Sequence, residues 1–186
     1  MGRNRNEWDL PEGFPEAFQE IPRGKLLALD VGLARIGLAV CDGLQLTVRP
    51  LHVLHRRSRN EDFAELAQWA RREEAQAVIC GLPLNMDGSE GPQAQTTRKW
   101  AGRLAYALRA LLGKPLPVIF WDERLTTAAA EELIAERGAS IMAGESEDAV
   151  AAAVLLQSYL DAAKRGDPLT YGRIDLPPRA EQDDPA

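Results

Sequence analysis

The stretch "LALDVGLARIGLAVCDG", residues 27 to 43, decides the fold. It contains two runs of strand-forming apolar residues joined by the short connection "GLA", in which Gly32 can form the turn of a β-hairpin. Asp30 interrupts the first run, where burial of an unpaired charge would cost several kcal/mol. We therefore expect a hairpin whose buried carboxylate is compensated by another part of the chain.

The apolar pattern after this hairpin predicts an α/β fold. "LTVRPLHVL" alternates as a third strand should, and Pro50 indicates an edge strand or a bulge. Helical spacing then alternates with short apolar runs: a helix at 60–75 with Asn60 as its cap, a strand at 77–84, a helix at 93–113, a strand at 116–123, and helices at 126–138 and 146–164. This order predicts a mixed five-stranded sheet, with three antiparallel strands first and helices on both faces.

Length and composition favour one globular domain. The chain has 186 residues, of which 45% are hydrophobic and 27% are charged. We assign residues 25–165 to the domain, 1–24 to an N-terminal extension and 166–186 to a flexible tail. The net charge of −6 argues against a surface that coats nucleic acid as a whole, although it leaves local basic patches open. Because no apolar run suits a secretory signal or a membrane span, we expect a cytoplasmic protein.

Acidic residues occur at three places that this fold can bring together. Asp30 lies on the first strand, Asp122 and Glu123 end the last predicted strand, and Asp148 lies in the first turn of the last helix. In α/β sheets, functional groups gather where the carboxyl ends of neighbouring strands open into a crevice. Small alanines follow Asp148 and would let its helix approach the sheet closely. The pattern therefore predicts a cluster of carboxylates.

A cluster of this kind favours a divalent cation. Converging carboxylates repel one another unless a cation lies between them, and sites made of oxygen ligands suit Mg²⁺ or Mn²⁺. Two such ions can stabilise the attacking and leaving oxygens of a phosphodiester displacement. Alternatively, each residue has an ordinary role: Asp30 pairs with Arg35, Asp122 and Glu123 begin a loop, and Asp148 caps a helix.

Four segments, in the right order, carry a resemblance to a known family. They are "LALDVGLARIGLAVCDG", "ICGLPLNMDGSEGPQAQ", "WDERLTT" and "EDAVAAAVLLQSYL", and they frame residues 26 to 160. The chain resembles the YqgF family, also called RuvX, of RuvC-like proteins that are similar to Holliday junction resolvases and to processing nucleases of the small-subunit ribosomal RNA precursor. The resemblance implies a ribonuclease H-like fold and a nuclease of the two-metal-ion type that uses Mg²⁺ or Mn²⁺.

The same resemblance implies the roles of the acidic residues. Asp30, Glu123 and Asp148 would be the catalytic metal ligands. Asp122 remains a further candidate ligand, because adjacent strand residues point to opposite faces and the sequence does not say which of the two faces the metal.

Further residues are candidates for contacts with the nucleic-acid substrate: Gly32, Arg35, Asn85, Arg124 and Thr126. Gly32 leaves room for a phosphate, and either arginine could bind one in a bidentate manner. Each arginine could equally form a salt bridge with a site carboxylate. Asn85 belongs to a loop that is also a tight turn, and Thr126 could cap the helix that follows it. The loop "ASIMAGESED" departs from the family, whose members carry basic residues there.

The predicted function is cleavage of structured RNA, namely processing of the 5′ end of pre-16S rRNA during ribosome biogenesis. Three alternatives stay open: a resolvase of four-way DNA junctions, a nucleotide-binding module with a "DxG" hairpin, and a non-catalytic nucleic-acid-binding or assembly factor. A resolvase places two sites symmetrically and should be a homodimer, whereas an RNA-processing nuclease can act as a monomer.

Overall fold

Six strands and three helices make up the part of the chain that the structure, a computed structural model, describes: residues 21–125, 147–167, 169 and 171–179. The elements are β1 (Leu26–Val31), β2 (Arg35–Cys41), β3 (Val48–His55), α1 (Arg59–Arg72), β4 (Ala77–Leu82), α2 (Pro92–Leu112), β5 (Val118–Asp122), a 3₁₀ turn (Glu123–Leu125), α3 (Glu147–Arg165) and β6 (Arg173–Ile174). The helix predicted at 126–138 and its first residue, Thr126, lie outside the described residues. None of the described helices is long and apolar enough to cross a membrane.

The strands form one mixed sheet in the order β3-β2-β1-β4-β5-β6. β1, β2 and β3 pair antiparallel, β1, β4 and β5 pair parallel, and β6 pairs antiparallel with β5. The predicted fold class and the three antiparallel strands at the start are thus confirmed. The sheet has six strands rather than five, because two residues of the Pro- and Asp-rich C-terminal segment, Arg173 and Ile174, add to the edge of β5. So short a strand has no periodicity that the sequence could reveal.

Two local predictions have different outcomes. Pro50 lies on edge strand β3, beside a register shift at which Leu38 faces His52 and Ala39 faces Pro50, so both readings of this proline are correct. The predicted cap of α1 is wrong: Ser58, not Asn60, is the N-cap. Its hydroxyl oxygen accepts from the Glu61 amide at 3.3 Å and its O–H donates to the Glu61 carboxylate at 2.6 Å. These two hydrogen bonds cap the helix, which begins at the next residue, Arg59.

The alternation of side chains along β1 creates two hydrophobic cores. Leu27 and Leu29 face one side of the sheet, which α1 and α2 cover. Leu26 and Ala28 face the other side, which α3 covers with its buried alanines and leucines. The period of two residues therefore directs Asp30, at the end of the same strand, to the α3 side.

Candidate active site at the ends of the central strands

Asp30 is half-buried between two glycines of the neighbouring strands. Gly37 is its pairing partner on β2. On the other side, Leu29 is in register with Cys80 of β4, so the next residue, Gly81, lies beside Asp30. Both glycines are buried and belong to the face that α3 covers. Because neither glycine has a side chain, groups from other parts of the chain can approach the Asp30 carboxylate from both sides.

The start of α3 fills the space over Gly37. A methyl group on Gly37 would lie 1.8 Å from the carbonyl oxygen of Asp148, so no larger residue fits unless the helix moves. Ala149, Ala152 and Ala153 are buried along the same helix, which confirms that small side chains let it approach the sheet. Burial, and after it the negative charge of Asp148, raise the pKa of Asp30. The last helix therefore brings a second carboxylate to the first.

The side chain of Glu123 fills the space over Gly81. A methyl group there would lie 2.6 Å from Oε1 of Glu123, which places this carboxylate on the same face of the sheet as Asp30. Burial, and after it the charges of Asp30 and Asp122, raise the pKa of Glu123 to about 7. Asp30, whose own pKa is raised by burial and by Asp148, and Glu123 would both be stabilised in their charged forms by a cation between them.

Asp122 has a different environment from Glu123. Its side chain is fully buried on the opposite face of the sheet, and Arg124 binds both of its oxygens. Oδ1 accepts from the backbone amide and from Nε of Arg124 at 2.9 and 3.1 Å, and Oδ2 accepts from Nη2 at 2.8 Å. The remaining nitrogen of Arg124, Nη1, donates to the carbonyl oxygen of Met86 at 2.8 Å. Asp122 and Arg124 thus connect β5 to the loop that follows β4.

Arg35 contacts the site through Asp148. Its Nε lies 2.7 Å from Oδ2 of Asp148, and both side chains are partly exposed. The two arginines that the sequence offered as phosphate ligands are therefore each paired with a carboxylate in the structure. Arg35 pairs with Asp148 rather than with Asp30, the partner named in the alternative reading of the sequence.

Gly32 and Asn85 each close a turn at the edge of the site. The amide of Gly32 donates to the Arg35 carbonyl at 2.9 Å and so closes the β1–β2 turn. Asn85 binds Ser89 twice, through its backbone amide and through Nδ2, both at 2.9 Å. The loop after β4 is the tight turn that the sequence indicated. Thr126, the remaining candidate, lies outside the described residues.

The donor set fits a divalent cation, although the side chains do not surround one as they stand. Within the described ranges, no group of three or more His, Cys, Asp or Glu side chains lies close enough to hold a metal ion. The ion pair with Arg35 keeps Asp148 engaged elsewhere. Asp30 and Glu123 nevertheless offer oxygen ligands on one face of the sheet, and burial and the charge of Asp30 raise the pKa of Glu123, as expected of carboxylates that a Mg²⁺ or Mn²⁺ ion would join.

Two features of the site escaped prediction from the sequence. Gly81 was not identified, although it is a glycine inside the apolar run "AVICGL", which is a signal of close approach by another group. The contact of Arg124 with Met86 joins residues 38 positions apart, and no local pattern reveals it.

The fold belongs to the ribonuclease H-like class of RuvC-type resolvases. The structure titled "T. thermophilus RuvC in complex with Holliday junction substrate" aligns with 82% of this chain and with all of its own chain, at a TM-score of 0.55 and 17% identity. That likeness concerns the fold alone.

Sequence comparison gives the family. Residues 24–162 match the family described as "RuvX: Holliday junction resolvase". A protein of Cereibacter sphaeroides is 42% identical over 154 residues, which are 82% of this chain and 92% of that protein. A protein of Myxococcus xanthus is 43% identical over 144 residues, 77% of this chain and 91% of its own. Both are named "Putative pre-16S rRNA nuclease". The chain belongs to the RuvX family and is a nuclease of that type.

Proposed function

We propose that this protein is a metal-dependent endonuclease that cuts structured RNA in the cytoplasm and processes the 5′ end of pre-16S rRNA. The observation that carries the proposal is the position of Glu123 over Gly81, where burial and the charge of Asp30 raise its pKa to about 7. Half-buried carboxylates with raised pKa values destabilise the folded protein when they ionise, unless a cation joins them. The names of its relatives support the choice of substrate.

Asp30, Glu123 and Asp148 would hold the metal. Asp122 is left out of this set because Arg124 already binds both of its oxygens. Bound Mg²⁺ or Mn²⁺ would neutralise charge on the phosphate and lower the pKa of a water molecule that attacks it. Arg35 pairs with Asp148 in the metal-free protein, and its guanidinium would be available to a substrate phosphate if a metal took Asp148 as a ligand.

The test is cleavage of a pre-16S rRNA fragment in Mn²⁺ by the natural protein and by Asp30→Asn. We expect cleavage to need the metal and to fall by at least about a hundredfold in the variant, since a lost metal ligand removes several kcal/mol of transition-state stabilisation. Asp161→Asn is the matched control, because this carboxylate lies on α3 but 13 residues beyond Asp148, where it accepts from Gln157.

Circular dichroism of both variants establishes that they fold. Cleavage that survives in a folded Asp30→Asn, or that Asp161→Asn abolishes equally, would refute the site. If a pure and folded natural protein does not cut at all, the catalytic proposal fails and a non-catalytic assembly role replaces it.

Resolution of four-way DNA junctions is the second candidate, and the family's own description favours it. Cleavage of junction DNA and precursor RNA by one preparation separates the two functions. Preferential cutting of the junction, together with a dimer in sedimentation equilibrium, would replace the RNA substrate. Preferential cutting of the RNA by a monomer supports the first proposal.

A further inference from the structure

Two turns border the proposed site, and each displays an exposed apolar side chain at its tip. Leu33, in the β1–β2 turn, is 96% exposed, and Met86, in the loop after β4, is 92% exposed. Single exposed apolar residues are common on protein surfaces and need no explanation by themselves. What distinguishes these two is the way in which the structure holds their main chains.

The Leu33 turn is held by Arg56. Nη1 of Arg56 donates to the carbonyl of Gly32 at 2.8 Å, and the Arg56 amide donates to the carbonyl of Ala34 at 2.9 Å. Both residues that flank Leu33 are thus fixed. The guanidinium of Arg56 is itself held by the buried Asp62, 3.5 Å away, and lies 5.7 Å from the centre of the Trp100 ring.

The Met86 loop is held in the same manner by a different arginine. Nη1 of Arg124 donates to the carbonyl of Met86 itself at 2.8 Å, and the buried Asp122 orients the guanidinium from behind. The device therefore occurs twice. In each case a buried aspartate fixes an arginine, and the arginine fixes the turn that presents the apolar side chain. Holding the main chain of a turn in place lowers the entropy that binding costs.

Both turns also lie beside the acidic residues. The Leu33 turn leads into Arg35, which contacts Asp148, and the arginine that holds Met86 directly follows Glu123. A nucleic-acid strand whose phosphate reaches the carboxylates would pass close to both turns, which are therefore placed to meet its neighbouring bases. Leucine and methionine are among the side chains that insert between base steps and unstack them.

We propose that Leu33 and Met86 contact the bases on either side of the scissile phosphate, and that the substrate is a nucleic acid whose bases are unstacked at the cut site. This proposal deepens the proposed nuclease function and rests on it. A continuous, fully stacked duplex is a poorer substrate, because insertion of a side chain must first unstack its bases. A stem that ends in a loop or a single strand fits, because the unstacking cost is lowest at such a boundary.

The experiment uses an RNA stem-loop with the fluorescent base 2-aminopurine at the last pair of the stem, titrated with protein in the Asp30→Asn background, which keeps the RNA intact. We expect binding to raise the fluorescence, as unstacking does. Leu33→Ser and Met86→Ser should each remove most of this rise and weaken binding by at least about fivefold. The salt dependence of binding should not change, because no charge is altered.

Leu44→Ser is the matched control. Leu44 is 78% exposed and lies in the β2–β3 turn, at the other end of β2 from Leu33, so its replacement should change neither binding nor fluorescence. All three side chains are exposed, and the variants should therefore unfold at the same temperature as the parent.

The outcomes separate this inference from the nuclease function. If the natural protein cuts RNA while Leu33→Ser and Met86→Ser bind and unstack it normally, the base contacts are refuted and the nuclease function stands. If both variants lose the fluorescence rise but the natural protein never cuts RNA, the base contacts of Leu33 and Met86 stand and the nuclease function is refuted. Absence of binding by every form, or an equal loss in Leu44→Ser, overturns the inference.

Discussion

The buried carboxylates on the two faces of the sheet have opposite neighbours: arginines on one face and other carboxylates on the other. On the α1 and α2 side, the nearly inaccessible Asp62 and Asp122 each face an arginine, Arg56 and Arg124. On the α3 side, the half-buried Asp30 and Glu123 each have a raised pKa, because of burial first and then of a neighbouring carboxylate: Asp148 for Asp30, and Asp30 for Glu123. A carboxylate matched by a guanidinium has a structural role, whereas carboxylates placed to repel one another indicate where a cation is expected.

The largest expected effect on stability comes from the matched side. Asp122→Asn removes the negative charge to which Nε and Nη2 of Arg124 donate. The Asp122 side chain has no access to water. We expect a loss of about 2 kcal/mol or more in the free energy of unfolding, measured by urea denaturation, since a broken buried pair leaves polar groups poorly satisfied.

Asp167→Asn is the control for this change. It removes a carboxylate of the same kind from a pair with Arg165, in which both side chains are about half exposed. Exposed pairs contribute at most about 1 kcal/mol. Equal losses of stability in Asp122→Asn and Asp167→Asn would mean that burial of the pair with Arg124 adds nothing to its strength. The structural role assigned to Asp122 would then be refuted.

The next effect has the opposite sign and comes from the α3 side. The pKa of Glu123 is raised to about 7 in the folded protein, above the ordinary value of 4.5, so folding favours its protonated form. That advantage is present below about pH 4.5 and is lost as the pH rises through 7. Above pH 7 the charged Glu123 therefore opposes folding, and Glu123→Gln, which imitates the protonated acid, should make the metal-free protein more stable.

The expected gain is about 1 to 2 kcal/mol at pH 8, after a reduction for partial exposure of the side chain to solvent. At pH 4, below both the ordinary and the raised pKa of Glu123, the variant and the natural protein should unfold alike. Addition of Mn²⁺ at pH 8 should stabilise the natural protein and reverse the order of the two. A variant that is less stable than the natural protein at pH 8 without metal would mean that Glu123 is a matched carboxylate like Asp122.

The sequence was sufficient for five of the six strands, because each has an apolar run of its own, and it assigned the acidic residues to elements that the structure brings together. It was not sufficient to separate Asp122 from Glu123. Their environments depend on where β5 ends and the 3₁₀ turn begins, a difference of one residue that the apolar pattern does not resolve. The second glycine beside Asp30, Gly81, is also a matter of register between strands that are far apart in the chain.

The smallest effect tests the ion pair between Arg35 and Asp148. Arg35 and Asp148 are 2.7 Å apart but are 55% and 28% exposed, so Arg35→Gln should cost less than about 1 kcal/mol of stability, and still less in 1 M salt. Coupling between two binding events is reciprocal, so a metal that recruits Asp148 must compete with Arg35. Removal of the arginine should therefore tighten Mn²⁺ binding, measured by calorimetry, by up to about fivefold. Cleavage at saturating Mn²⁺ should fall, because the substrate phosphate loses its guanidinium. Weaker metal binding in Arg35→Gln would show instead that the pair prepares Asp148 for the cation, and that this carboxylate, like those on the opposite face, depends on its arginine.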